Sequence, residues 1–167
     1  MDKSKVYWED LGVTAEISAF APQGKIEEFH AMLHVEPKAE LFDGQLKRIY
    51  EGEKRLSHLP QVMGADVILK RYFLSDSTNQ QPLMKQEADC SVSVIQQPPL
   101  DGSKVAVWLY LQKGSKVANV NGVIVAEHNG YRHLWKMGMH EHKGDSAWQT
   151  ESLLISYEET LQSFNAT

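Results

Sequence analysis

The stretches ADVILKRYFLSDSTNQ at 65–80 and CSVSVIQQPPLDGSKVAVWLYLQ at 90–112 decide the fold. Residues 65–74 are dense in Val, Ile, Leu, Tyr and Phe, the composition of a central strand. Residues 75–79, SDSTN, end it with turn chemistry. A second strand runs from about 90 to 95. A third runs from 104 to 112, with Val105, Val107, Leu109 and Leu111 on one face and Ala106, Trp108 and Tyr110 on the other. Pro98 and Pro99 in the connection exclude a tight two-residue hairpin.

Upstream, residues 12–20 alternate with Val13, Ala15, Ile17 and Ala19 on one face. The turn Ala21-Pro22-Gln23-Gly24 follows. Residues 26–35 return with Phe29, Ala31, Leu33 and Val35 on one side and Glu28, His30, Met32 and His34 on the other. Residues 39–58 read as a helix through Phe42, Leu46, Ile49 and Leu56, with Gly52 and Glu53 interrupting the stripe and Pro60 beyond its end. Downstream, Asn129-Gly130 joins runs at 123–128 and 131–137 and is the strongest hairpin signal, because a type I′ turn needs positive φ at both positions. Ser146-Ala147-Trp148-Gln149 reads as a capping box opening a helix to about Phe164. Hairpin-then-helix thus occurs twice, at 12–58 and 122–164. The expected architecture is α+β, a mixed sheet of about six or seven strands with two helices packed on one face.

The 167-residue chain is expected to be a single domain, with the 122–164 unit either completing it or beginning a second repeat. A net charge of −5 with scattered lysines gives no footprint for nucleic acid. No apolar run approaches a membrane span, and residues 1–12 have no signal-peptide core. One cysteine, Cys90, excludes an intrachain disulfide and fits a reducing compartment. A soluble cytoplasmic protein is the expectation.

RYFLSDSTNQ at 71–80, the strand around Cys90 and the reversal into KVAVWLYL at 104–111 resemble the RidA/YjgF family, whose fold is like that of bacillary chorismate mutase. The resemblance covers roughly residues 12–112. It implies a homotrimer with ligand clefts between subunits and no metal or organic cofactor. Deaminating members hydrolyse enamines or imines, holding the substrate carboxylate with an arginine and using a carboxylate on the last strand. By that resemblance the arginine position falls on Ala88 and the carboxylate position near Trp108, so neither carries the charge the reaction needs. Arg71 is an alternative carboxylate ligand. The expected function is small-molecule binding. Alternatives are a cofactor-free hydrolase or lyase acting on a carboxylated metabolite, as chorismate-processing relatives do, and a non-catalytic interaction subunit.

Ligand-binding candidates are Arg71, Asn79, Gln80, Cys90, Gln96, Gln97 and Trp108. The glutamines before the prolines either orient a polar ligand or form a polar loop. Asn79, with Asp76, also fits an Asx turn. Cys90 shares a face with Val92 and Val94, and as a small core residue it needs no activating base. His30, Met32, His34, Ser91, Ser93, Trp108 and Tyr110 share the face away from the helices. That face is either a subunit interface, favoured by its aromatic bulk, or a partly solvated sheet. His140-Glu141-His142 matches no standard metal spacing, so no metal site is assigned. Residues 51–55, EGEKR, read as a solvated helix face.

Overall fold

The computed structural model describes residues 2–87, 89–141 and 143–166. The chain divides into two compact units, Met1–Met137 and Gly138–Thr167.

The first unit is built on six strands: β1 (Asp2–Trp8), β2 (Val13–Phe20), β3 (Glu27–Val35), β4 (Asp66–Leu74), β5 (Ser91–Gln96) and β6 (Val105–Lys113). Their order is β1-β2-β3-β6-β4-β5. Neighbours are antiparallel except β4 and β5, so the sheet is mixed, as expected. A parallel pair needs a crossover. Here it is the short α2 (Ser77–Gln80), a 3₁₀ turn at Gln81–Leu83 and the loop that follows. Strand β1 escapes the sequence pattern because DKSKVYW lies at the sheet edge with most of its residues exposed, so no buried face marks it.

Helix α1 (Phe42–Leu56) covers one face of this sheet, burying Phe42, Gln45, Leu46, Ile49, Gly52 and Leu56. Its partners are Val13, Ala15, Ile17, Leu33, Val107, Leu109 and their neighbours, all buried. Gly52 does not interrupt the stripe. A Cβ there would lie 3.0 Å from Val13 Cγ1 and 3.2 Å from Leu33 Cδ2, so glycine is what lets the helix approach the sheet.

Strand β4 carries a bulge. Val67 pairs with Leu111 and Leu69 with Tyr110, leaving Ile68 as the extra residue. Ile68 and Leu69 therefore both face away from α1, while Lys70, Tyr72 and Leu74 face toward it. The outward pair packs against a second sheet of three strands, β7 (Lys116–Val120), β8 (Val123–His128) and β9 (Tyr131–Trp135), through Tyr110, Ile124 and Ala126. The β8–β9 turn has Asn129 at φ 50° and Gly130 at φ 78°, as its sequence predicts. Strand β7 was not legible: only Val117 of its five residues is better than exposed.

The second unit contains α3 (Ser146–Ser163). Its cap is Asp145, one residue before the expected Ser146: Trp148 N donates to Asp145 Oδ1 at 2.9 Å. None of its residues is buried. The first unit thus holds one long helix, α1, against its sheet, and the other long helix, α3, belongs to the second unit. The 122–164 hairpin and helix likewise divide between the units. Among the described residues no helix is long and apolar enough to cross a membrane.

Candidate functional site on the open sheet face

Strand register lays the residues facing away from α1 into rows. Met32, Trp108, Arg71 and Ser93 stand side by side across β3, β6, β4 and β5. The next row is His34, Ala106, Phe73 and Ile95, and the row on the other side is His30, Tyr110, Leu69 and Ser91. The expectation that these polar and aromatic residues share a face is met. The second sheet covers the row of Tyr110 and Ser91, both buried. Ser91 Oγ donates to Trp135 O at 2.9 Å, and the Tyr110 and Trp135 rings lie 5.3 Å apart. These two interface candidates are therefore occupied by β8–β9 of the same chain. His30, Met32, His34, Ser93 and Trp108 stay partly exposed.

Arg71 is the centre of what remains open. Its guanidinium lies 5.9 Å from the centroid of the Trp108 ring, a cation–π contact, and its Nε donates to Ser93 Oγ at 3.3 Å. His30 stacks on Trp108 at 5.7 Å with an interplanar angle of 5°. Among the described residues no carboxylate pairs with Arg71. Arg48 and Arg55, by contrast, bind Glu40 and Asp10.

Beside this row lies a cavity of about 300 Å³, lined by Met32, His34, Phe73, Ala106 and the loop 97–101. That volume is at the lower end for a small-molecule pocket. Its walls are mostly apolar: Met32, Phe73, Pro98, Pro99 and Leu100. The polar groups are Gln97, His34 and Asp101, with His34 Nδ1 3.9 Å from Asp101 Oδ2.

The glutamine pair splits. Gln97 lines the cavity, while Gln96 accepts from Ser77 Oγ at 2.9 Å beside α2. Gln80 is buried and satisfied within the chain: its Oε1 accepts from Asp76 N at 3.0 Å and its Nε2 donates to Ser75 Oγ at 2.8 Å. Asn79 is bound to Asp76 by both its backbone N–H and its side chain, the Asx geometry that caps α2. Both residues shape the end of β4. Ala88 and His142 lie outside the described residues. His140 Nδ1 is 2.6 Å from Gly138 O. No group of three metal-ligating side chains gathers among the described residues.

On the α1 side, the bulge turns Lys70 inward, and the sequence reading of Glu53 as solvated is overturned. Lys70 Nζ lies 2.6 Å from Glu53 Oε2 and also binds Glu87. The Tyr72 hydroxyl lies 2.8 Å from Glu53 Oε1 and 2.9 Å from Glu87 Oε1, and its one proton is shared between the two carboxylates. The Lys70 and Glu53 side chains are only 12% and 9% exposed. Burial opposes the Lys70 charge, but the two carboxylates outweigh it and hold the ammonium well above the ordinary lysine value. Burial pushes the Glu53 carboxyl up, with Lys70 offsetting part of the rise. Cys90 sits at this cluster, its Sγ 3.8 Å from Glu87 Oε2. Burial, then the neighbouring acids, push its thiol up to about 12, the opposite of what an activated nucleophile needs. Cys90 is thus removed from the open face. The missed signal was the helical spacing: Glu53 lies four residues after Ile49 and seven after Leu46, on the buried stripe itself.

Compared with models of known protein families, with curated proteins and with solved structures, the chain matches none.

Proposed function

We propose that the chain is a small-molecule-binding protein of the RidA/YjgF kind, taking an apolar carboxylate on the open sheet face. The observation that carries this reading is Arg71: a guanidinium fixed by Trp108 and Ser93, with no carboxylate partner among the described residues, beside an apolar cavity. A forked cation prepositioned this way matches a carboxylate in a bidentate pair. The cavity then takes the apolar part of the ligand, and Gln97 supplies an amide at its wall. The reading needs neither a metal nor an organic cofactor.

The mixed sheet of an α+β fold supports the family reading. So does an open sheet face with partly exposed aromatic bulk, which suits the subunit contacts that the resemblance implies. Exposed Leu100 and the half-buried Met32, Phe73 and Trp108 give such a cleft an apolar rim. Enamine or imine deamination is not part of the proposal, because alanine and tryptophan stand at positions 88 and 108, where the family's reaction needs an arginine and a carboxylate. A cytoplasmic site of action fits the single thiol.

The test is an NMR titration with 3-phenylpropionate, an unreactive aromatic carboxylate, following the Trp108 indole N–H. Wild type should show saturable shifts, and Arg71→Ala should weaken binding by about tenfold or more, the effect of losing one charge-assisted pair. Equal shifts in the two proteins contradict the reading. In sedimentation, the same samples should run as three copies of the chain; a monomer that binds normally removes the trimer from the proposal.

A further inference from the structure

We propose that His34 and Asp101 form a proton-transfer pair at the mouth of the open-face cavity, acting on the carbon next to the carbonyl of an aromatic 2-oxo acid. This inference rests on Arg71 as the carboxylate anchor.

Both side chains line the cavity. His34 rises from β3, and Asp101 comes from the β5–β6 loop that also lines the cavity. His34 Nδ1 stands 3.9 Å from Asp101 Oδ2, and the two side chains are 37% and 36% exposed, accessible to a ligand. Such contacts are often long without substrate and tighten when it binds. Asp101 is itself fixed, because its Oδ1 accepts from Ser103 N at 2.9 Å and leaves Oδ2 for the histidine. When that contact closes to hydrogen-bond distance, Nδ1–H donates to Asp101 Oδ2 and Nε2 is left as the base. His34 is the catalytic residue and Asp101 its positioning residue.

The rows place this base relative to Arg71. His34 and Phe73 share a row, and Arg71 is one two-residue step along β4 from Phe73. Two strand spacings and one step separate the two backbones by about 12 Å. The Arg71 side chain and a small 2-oxo acid together span that gap. The apolar walls fit an aryl group, Arg71 the carboxylate, and His34 the methylene between them.

The step is an isomerisation. His34 Nε2 takes a proton from C3. The C–H electron pair becomes the C2=C3 bond, and the carbonyl π pair moves to oxygen, which takes the proton back from the imidazolium. The Gln97 amide is the donor at the wall for the developing oxyanion. Nothing is oxidised or reduced, and the product is the enol.

The test is deuterium incorporation at C3 of phenylpyruvate in heavy water, followed by NMR beside a protein-free control. Wild type should accelerate exchange by at least about 100-fold, the lower range for general-base catalysis. His34→Gln should abolish the acceleration while 3-phenylpropionate still binds. Asp101→Asn keeps the Ser103 contact, so it should lose most of the acceleration with its fold intact, and Asp101→Glu should restore part of it. Arg71→Ala should raise KM more than it lowers kcat. Wild type that binds 3-phenylpropionate through Arg71 without accelerating exchange overturns this inference alone. Acceleration that survives in His34→Gln also overturns it. Failure to bind 3-phenylpropionate at all overturns the binding reading and this one with it.

Discussion

Lys70 carries two carboxylates in a nearly dry setting, and that decides what its removal does. Lys70→Met leaves Glu53 and Glu87 facing each other with only Tyr72 as a shared donor. Breaking a buried ion pair by removing one partner costs about 3–5 kcal/mol, and urea unfolding should show a loss of that order near neutral pH. The pH dependence has a definite sign. A carboxyl whose folded value lies above its unfolded value contributes stability below the ordinary carboxylate range and loses it as pH rises through the folded value. Glu53 already lies on that side, and losing Lys70 moves it further. Lys70→Met should therefore be least destabilised in acid and most destabilised at neutral pH. Lys70 works in the same sense at the other end: its contribution is complete below the ordinary lysine value and is lost above it, as pH rises through its elevated folded value. A variant whose deficit does not change between about pH 5 and 8 contradicts this account of the cluster. Adding Glu53→Gln and Glu87→Gln to Lys70→Met should recover much of the loss.

Among the elements, those with one buried face were legible and those without were not. Strands β2 and β3 alternate because α1 covers one side, β6 shows as an apolar run because most of both its faces is buried, and the Asn129-Gly130 turn carries its own conformational signature. Strands β1 and β7 bury too little for any pattern to form. The bulge at Ile68 is a pairing event between β4 and β6, invisible within β4 alone, and it reverses the parity that would have revealed Lys70. The open-face row of Met32, Trp108, Arg71 and Ser93 was legible only in part, since β3, β6 and β5 were assigned faces while Arg71 depended on the bulge. Gly52 gives an element-scale test. Gly52→Ala gains about 1 kcal/mol of helix propensity, but its methyl meets Val13 and Leu33 at 3.0 and 3.2 Å. Overpacking costs about 1–3 kcal/mol, so the variant should be net destabilised, and Gly52→Val more so. A stabilised Gly52→Ala would mean that α1 does not sit this close to the sheet.

At the scale of the molecule, the two sheet faces have different tasks. The α1 face is closed by an apolar core and a buried cluster in which Lys70 bridges two carboxylates. The opposite face is half covered by β7–β9, and what stays open is a cationic, aromatic strip beside an apolar cavity. The site residues nominated from the sequence sort by physics. Gln80 and Asn79 are spent on capping a turn, Cys90 faces the ion cluster, and Arg71, Trp108 and Gln97 remain together on the open side. The most direct measurement is a crystal structure of the protein with 3-phenylpropionate. The account predicts the carboxylate in a bidentate pair with the Arg71 guanidinium and the phenyl ring between Met32, Phe73 and Leu100. A carboxylate bound elsewhere, with Arg71 still stacked on Trp108 and unengaged, would contradict it.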